Sequence, residues 1–259
     1  MLQRDAFIAE ITKKLNQDKN IYFLSADFGA AALDELREKF PDNFIHCGIS
    51  EQAMLDVASG LAIEGKKVFV YAMAPFLSLR AIEQTKCGAG LMNLPICLIS
   101  VGVGLGYADA GPTHYSTEDF ACFRAIVGSS IYTPSDVKTT KLIVNDMLDK
   151  PKFSYIRLDR NVLPDISPEV NCSDYQKGFK IYGKEGKKKI ALISHGKMLH
   201  SCLELYNKDK ENFICVDIFR SKPFPKELPK EISLCKGIVV VDEQTPSGNL
   251  SSCIFEGFS

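Results

Sequence analysis

Residues 68–76 read Val-Phe-Val-Tyr-Ala-Met-Ala-Pro-Phe, an unbroken apolar run followed by a proline and an aromatic. A strand with one face in water alternates apolar and polar residues. A continuous run belongs to a strand covered on both faces, as in a parallel sheet flanked by helices. Pro75 suits the start of a helix, where no intrahelical partner awaits its missing N–H, so a helix is expected from Phe76 to about Gly88. Leu94-Pro-Ile-Cys-Leu-Ile-Ser-Val101 is a second run of the same character. Together they indicate an α/β fold built on a parallel sheet.

Working outward, Arg4 to Asn16 places Phe7, Ile8, Ile11 and Leu15 on one helical face, and Ile21 to Leu24 follows as a buried strand. Ala30 to Phe40 reads as a short helix. Asn43-Phe-Ile-His46 is a β-like run, and after Gly48 the residues Met54, Leu55, Val57, Ala58, Leu61 and Ala62 recur at helical spacing, with Ser50 as the expected N-cap and Glu51 in the first turn. An acid there complements the helix dipole, and that alone would account for Glu51. Gly102 to Gly111 is a permissive loop. Its alternating glycines do not open a helix, so it lacks the context of a dinucleotide fingerprint. A helix after Thr117-Glu-Asp119, a strand at Ile131–Thr133, a helix from Val137 to Leu148 and a strand at Phe153–Leu158 complete the first α/β unit.

Periodicity fades between about Asp159 and Lys188, where Pro164, Pro168, Gly178, Gly183 and Gly186 are spread along the chain. The expected division is a first domain at 1–165, a linker at 166–188 and a second domain at 189–259. In the second, strands at Ile190–Ser194, Phe213–Val216 and Gly237–Val241 alternate with helices near Met198–Tyr206 and from Asn249, again a parallel-sheet pattern.

The 259 residues carry a formal net charge of −1 with dispersed basic residues, which argues against nucleic acid or a membrane surface as the main partner. No run reaches the ~18 apolar residues of a spanning helix, and Met1-Leu-Gln-Arg-Asp5 does not read as a signal peptide, so the expected location is cytoplasmic. The 9 cysteines include no Cys-x-x-Cys pair, which disfavours zinc or a disulfide framework and fits small hydrophobes in a reducing compartment.

Four segments in order carry a resemblance: Asn43-Phe-Ile-His-Cys-Gly-Ile-Ser-Glu-Gln-Ala-Met54, Ala74-Pro-Phe-Leu-Ser-Leu-Arg80, Gly111-Pro-Thr-His-Tyr-Ser-Thr-Glu118 and Arg157-Leu-Asp-Arg-Asn161. Over nearly the whole chain they resemble the pyrimidine-binding and C-terminal domains of the transketolase family, and most of all the small subunit of split bacterial transketolases. Deoxyxylulose-phosphate synthase is a cousin. The resemblance implies thiamine diphosphate as cofactor and transfer of a two-carbon ketol unit between sugar phosphates or related sugar precursors.

By the resemblance, Glu51 contacts the pyrimidine nitrogen of the cofactor, and a carboxylate there favours the tautomer that activates the thiazolium carbon. Phe76 matches the aromatic that stacks on the pyrimidine, and Asp27-Phe28 matches the pair that helps bend the cofactor. Core packing is the competing explanation for both phenylalanines. His114 matches the histidine that hydrogen-bonds the sugar near its reacting carbon. Arg160, and less directly Arg4, match arginines that hold the sugar phosphate with their forked donors. Arg80, Glu83 and Gln84 also match small-subunit residues, with interface packing as the expected role.

The sequence departs from the family pattern at three places. Ala110 replaces the acid before Gly-Pro-Thr-His that contacts a donor hydroxyl, with Asp109 displaced by one position. Ala31 stands where a phosphate-contacting serine is expected. The C-terminal domain reads as shortened after Ser247-Gly-Asn-Leu250. No Gly-Asp-Gly motif is present, so the diphosphate and its magnesium require a larger partner subunit, and a heterotetramer is expected. The alternatives are a deoxyxylulose-phosphate-synthase-like or 2-oxoacid-decarboxylating subunit, and a non-catalytic assembly partner.

Overall fold

A computed structural model describes residues 1–26 and 30–259. Its strands in chain order are β1 (Ile21–Ala26), β2 (Phe44–Gly48), β3 (Lys67–Met73), β4 (Ile96–Val101), β5 (Ser130–Tyr132), β6 (Ser154–Leu158), β7 (Lys180–Tyr182), β8 (Ile190–Ser194), β9 (Phe213–Asp217), β10 (Arg220–Lys222) and β11 (Gly237–Val240). The described residues form a 7-stranded sheet in the order β10-β5-β6-β4-β3-β1-β2 and a 4-stranded sheet in the order β11-β8-β9-β7. Every pairing is parallel except β10 with β5 and β7 with β9. The α/β architecture of two mainly parallel sheets is therefore as expected, with one antiparallel strand at an edge of each.

The apolar run at 68–73 lies in β3, near the middle of the large sheet, and its residues serve two cores alternately. Val68, Val70 and Ala72 join Leu24, Leu98 and Met54 on one face. Phe69 and Tyr71 join Phe7, Ile11, Ile99 and Ile143 on the other, beneath the helices Gln3–Leu15 and Val137–Asp149. Burying each large apolar side chain favours the fold by about 1.5–3 kcal/mol, so both faces of β3 contribute and neither tolerates a charge. The first core continues through Phe120 and Phe123 into Ile193 and Val216 of the second sheet and Leu250 of the helix Leu250–Gly257, so the two sheets share it.

Several elements differ from expectation. The stretch 166–188 holds a helix, Cys172–Lys177, with a capping box from Asn171, and the strand β7, which pairs with β9. β10 crosses back to the edge of the large sheet, where Lys222 Nζ donates to the carbonyl of Arg124 (2.9 Å) and to Ser129 Oγ (2.8 Å) at the end of the helix Asp119–Ala125. The helix expected at Phe76–Gly88 is a π-helical turn Phe76–Arg80, an α turn Ile82–Thr85 and a second π turn Lys86–Leu91. Close packing accompanies these widened turns: a Cβ at Gly88 would lie 2.3 Å from Ser59 Oγ on the facing helix Glu51–Ile63. Among the described residues no helix is long and apolar enough to cross a membrane.

Parallel pairing places the C-terminal ends of β2, β1, β3, β4 and β6 along one edge, the usual position for a site in an open α/β sheet. The segments that follow β2, β3, β4 and β6 carry Glu51, Phe76, His114 and Arg160, respectively.

Candidate active site

Gly48 makes the turn from β2 at φ +65°, a conformation that favours glycine, and delivers Glu51 to the first turn of the helix Glu51–Ile63. Ser50 does not cap that helix with its side chain. Its Oγ donates to the Cys47 carbonyl at 2.5 Å and tightens the turn instead. Glu51 is only 4% exposed, and its Oε2 accepts a hydrogen bond from Arg80 Nη1 at 2.8 Å. A buried carboxylate requires such a partner. The Arg80 guanidinium carbon lies 4.2 Å from the centroid of the Phe76 ring, a cation–π contact. Phe76 meets the His114 imidazole edge to face, with centroids 5.3 Å apart and planes at 74°. Thr113 Oγ1 lies 2.9 Å from His114 Nδ1. Glu51, Arg80, Phe76 and His114 thus form one continuous line of contacts from the segments that follow three strands.

Arg80, for which interface packing is expected, also serves as the ion-pair partner of Glu51, a contact that was not anticipated. Its signal was the four-residue spacing from Phe76, which in this widened turn places the two side chains face to face.

A second group lies where the loops after β4 and β6 meet. Arg160 pairs with Asp109, donates from Nη1 to the Gly106 carbonyl at 3.4 Å, and has its guanidinium carbon 4.4 Å from the Tyr107 ring centroid. The hydrogen bond from Arg160 holds the Asp109 carboxyl below the usual carboxylate range. Tyr107 presses on Gly102, where φ is +79° and a Cβ would fall 2.0 Å from the ring, so both backbone and space demand glycine. Arg4 donates from Nε to Asp5 at 2.9 Å. Burial would lower the Arg4 pKa, but Asp5 and the Tyr71 phenol outweigh it and raise it. Burial in turn pushes the Tyr71 phenol well above its ordinary value.

A third group was not anticipated. Arg157 on β6, 1% exposed, grips Asp119, 0% exposed, with Nε to Oδ2 at 2.8 Å and Nη2 to Oδ1 at 3.2 Å. Tyr155 OH donates to the same Oδ2 at 2.8 Å, and Arg157 Nη1 reaches Thr133 Oγ1 at 3.1 Å. From the segment after β8, His195 Nε2 lies 3.4 Å from Arg157 Nη1 and 3.3 Å from Asp242 Oδ1. Burial works against the Asp242 anion, yet His195 and Arg157 hold its pKa well below the usual range. The available signal was Arg157 itself, since an arginine inside an apolar strand needs a buried acid.

Of the residues the resemblance singles out, Glu51, Phe76 and His114 come together, while Arg160 and Arg4 sit in the second group. Asp27 and Phe28 lie outside the described residues.

Comparison with known proteins bears on this geometry. The family described as transketolase, pyrimidine binding domain, matches residues 1–165. An apulose-4-phosphate transketolase subunit from Phocaeicola vulgatus is 28% identical, over 99% of this chain and 83% of that one. Human transketolase is 30% identical over 87% of this chain and 36% of its own length. A solved split-gene transketolase, described as an inactive β4 tetramer, superimposes with a TM-score of 0.85 at 25% identity, covering 99% of this chain and 84% of that one.

Proposed function

This chain belongs to the transketolase pyrimidine-binding-domain family, and from that membership we propose that it is the small subunit of a thiamine-diphosphate-dependent transferase moving a two-carbon ketol unit between sugar phosphates or related sugar precursors. The observation that carries the reading is the buried Glu51 carboxylate in line with Phe76 and His114. A carboxylate beside an aromatic face suits a planar, protonatable heterocycle, so the donor set fits the pyrimidine half of the cofactor.

When bound, thiamine diphosphate supplies a nucleophilic carbon able to take up a ketol unit. Glu51 Oε2 would hold the proton at the pyrimidine nitrogen, exchanging its present partner, Arg80 Nη1, for the ring. Arg80 would stay on the Phe76 face or follow the carboxylate. Phe76 would stack on the pyrimidine and, with His114, exclude water from that side. His114 would hydrogen-bond the sugar beside its reacting carbon. Arg160 and Arg4 would receive the sugar phosphate, a charge consistent with the substrate named for the Phocaeicola relative, apulose 4-phosphate. In this reading Asp27 and Phe28 assist in bending the cofactor.

The diphosphate half does not fit, because the sequence has no Gly-Asp-Gly motif. We therefore assign the diphosphate and its magnesium to a larger partner subunit, with a heterotetramer as the working assembly and the cytoplasm as its location. The solved neighbour, inactive as a β4 tetramer, is consistent with a chain that needs a different partner. Incubating the co-expressed pair with a ketose phosphate and an aldose phosphate is expected to give ketol transfer, with no carbon dioxide from pyruvate. Carbon dioxide release without ketol transfer would assign the pair to the decarboxylating alternative.

A further inference from the structure

The loop that carries His114 does not close on its own domain alone. Its two limbs meet at an isolated antiparallel bridge, with Gly104 N donating to the Ser116 carbonyl at 3.0 Å and Ser116 N to that of Gly104 at 2.9 Å. Behind each limb stands the second-domain segment that follows β11. At Gly104, with φ +59°, an added Cβ would lie 3.0 Å from the Glu243 side chain, so the second domain packs directly on that limb. On the other limb, Thr245 N donates to the Thr117 carbonyl at 3.0 Å.

Between these two contacts sits Gln244. Oriented by the donors and acceptors around it, its amide nitrogen donates to the Thr117 carbonyl (2.8 Å) and to Asp119 Oδ1 (2.9 Å), while its oxygen accepts from Arg157 Nη2 (2.5 Å). The segment itself is fixed at its root. Asp242 Oδ1 accepts from Glu243 N at 2.8 Å, and its Oδ2 accepts from Leu250 N at 2.9 Å. Farther along, Gly248 lies against Ala121, and its carbonyl accepts from Arg124 Nη1 at 3.0 Å.

We propose that Asp242–Gly248 is a platform through which the second domain positions the His114 loop, with Gln244 as the positioning residue. Gln244 touches neither Glu51 nor Phe76, and its bonds end on Thr117, three residues beyond His114, and on the buried pair that anchors the next helix. The second domain would then act on catalysis by setting where the imidazole stands, which rests on the reading of His114 as a sugar contact.

The test uses the full chain and the co-expressed pair. In Gln244→Ala, amide hydrogen exchange over residues 105–115 is expected to quicken by roughly ten-fold or more, the scale of losing a buried hydrogen bond, with exchange in β3 and β4 unchanged. In the assembled enzyme KM for the sugar phosphate rises while kcat moves little, and Gln244→Glu, which keeps only the acceptor, does not rescue it. Gly104→Ala, which pushes on the other limb, gives the same exchange pattern. Unchanged exchange over 105–115 in both alanine variants would overturn the platform. Faster exchange with an unaltered KM would leave the platform standing and count instead against the sugar-binding role of His114.

Discussion

Replacing Arg157 with methionine isolates the energetics of the joint between the two sheets. The guanidinium is 1% exposed and donates to Asp119 and Thr133, while Asp119 is 0% exposed. Methionine fills much of the same volume but leaves the Asp119 anion with the Tyr155 hydroxyl and the Gln244 amide only. Breaking a buried pair this way destabilises by about 3–5 kcal/mol, because a charge remains without its counter-charge in a low-dielectric site. For a chain of this size each kcal/mol shifts Tm by roughly 2–4 °C, so a fall of about 6–20 °C is expected at pH 7. Adding Asp119→Leu to Arg157→Met removes the stranded charge and should recover most of the loss, giving a strongly non-additive cycle. Urea unfolding followed by circular dichroism, with thermal melts alongside, measures all three variants. Arg157→Met within ~1 kcal/mol of the parent, or a double variant as unstable as the summed singles, would refute the reasoning.

Two further outcomes are expected. Asp109→Ala frees the Arg160 guanidinium from an exposed carboxylate; if Arg160 receives the substrate phosphate as proposed, KM for a sugar phosphate should drop by a few-fold with kcat unchanged, an effect that fades as salt is raised, and a KM that rises would contradict it. Burial pushes the Asp217 carboxyl up to about 8, so the native state keeps a proton that the unfolded chain releases above ~4, and stability falls as pH rises from about 4 through 8. Asp217→Asn keeps an acceptor for Ser135 and removes that penalty, so its melting temperature should exceed the parent's at pH 9 and match it at pH 3; a constant difference across pH would be the contrary result.

The fold was largely legible because both faces of the sheet are buried and the strands announce it as apolar runs, β3 above all. β7 and β10 were not, since Lys-Ile-Tyr and Arg-Ser-Lys are too short and polar for periodicity, and their places are decided by partners distant in sequence. Glu51, Phe76 and His114 could be singled out as a set only through the family motifs; alone, Glu51 reads as a first-turn acid. The pairing of Arg80 with Glu51 was hidden because the two residues stand 29 positions apart on different helices, and nothing local to either one selects the other. The Asp119–Arg157 pair announced itself at one end only: Arg157 in an apolar strand demanded an acid, but nothing local chose Asp119 over its neighbours. Ser50 shows the opposite error, a residue in the capping position whose hydroxyl turns back to Cys47.

The central claim is that Glu51 activates the pyrimidine end of a cofactor whose diphosphate is held by another chain. Glu51→Gln keeps the size of the side chain and a possible contact with Arg80 but cannot take up and return a proton. Ketol transfer by the co-expressed pair should fall by about 10²–10⁴ in kcat at saturating thiamine diphosphate, the scale of a lost general acid–base group, with the pair still assembled by gel filtration. An assembled Glu51→Gln pair that transfers the ketol unit at the parent rate would contradict the account.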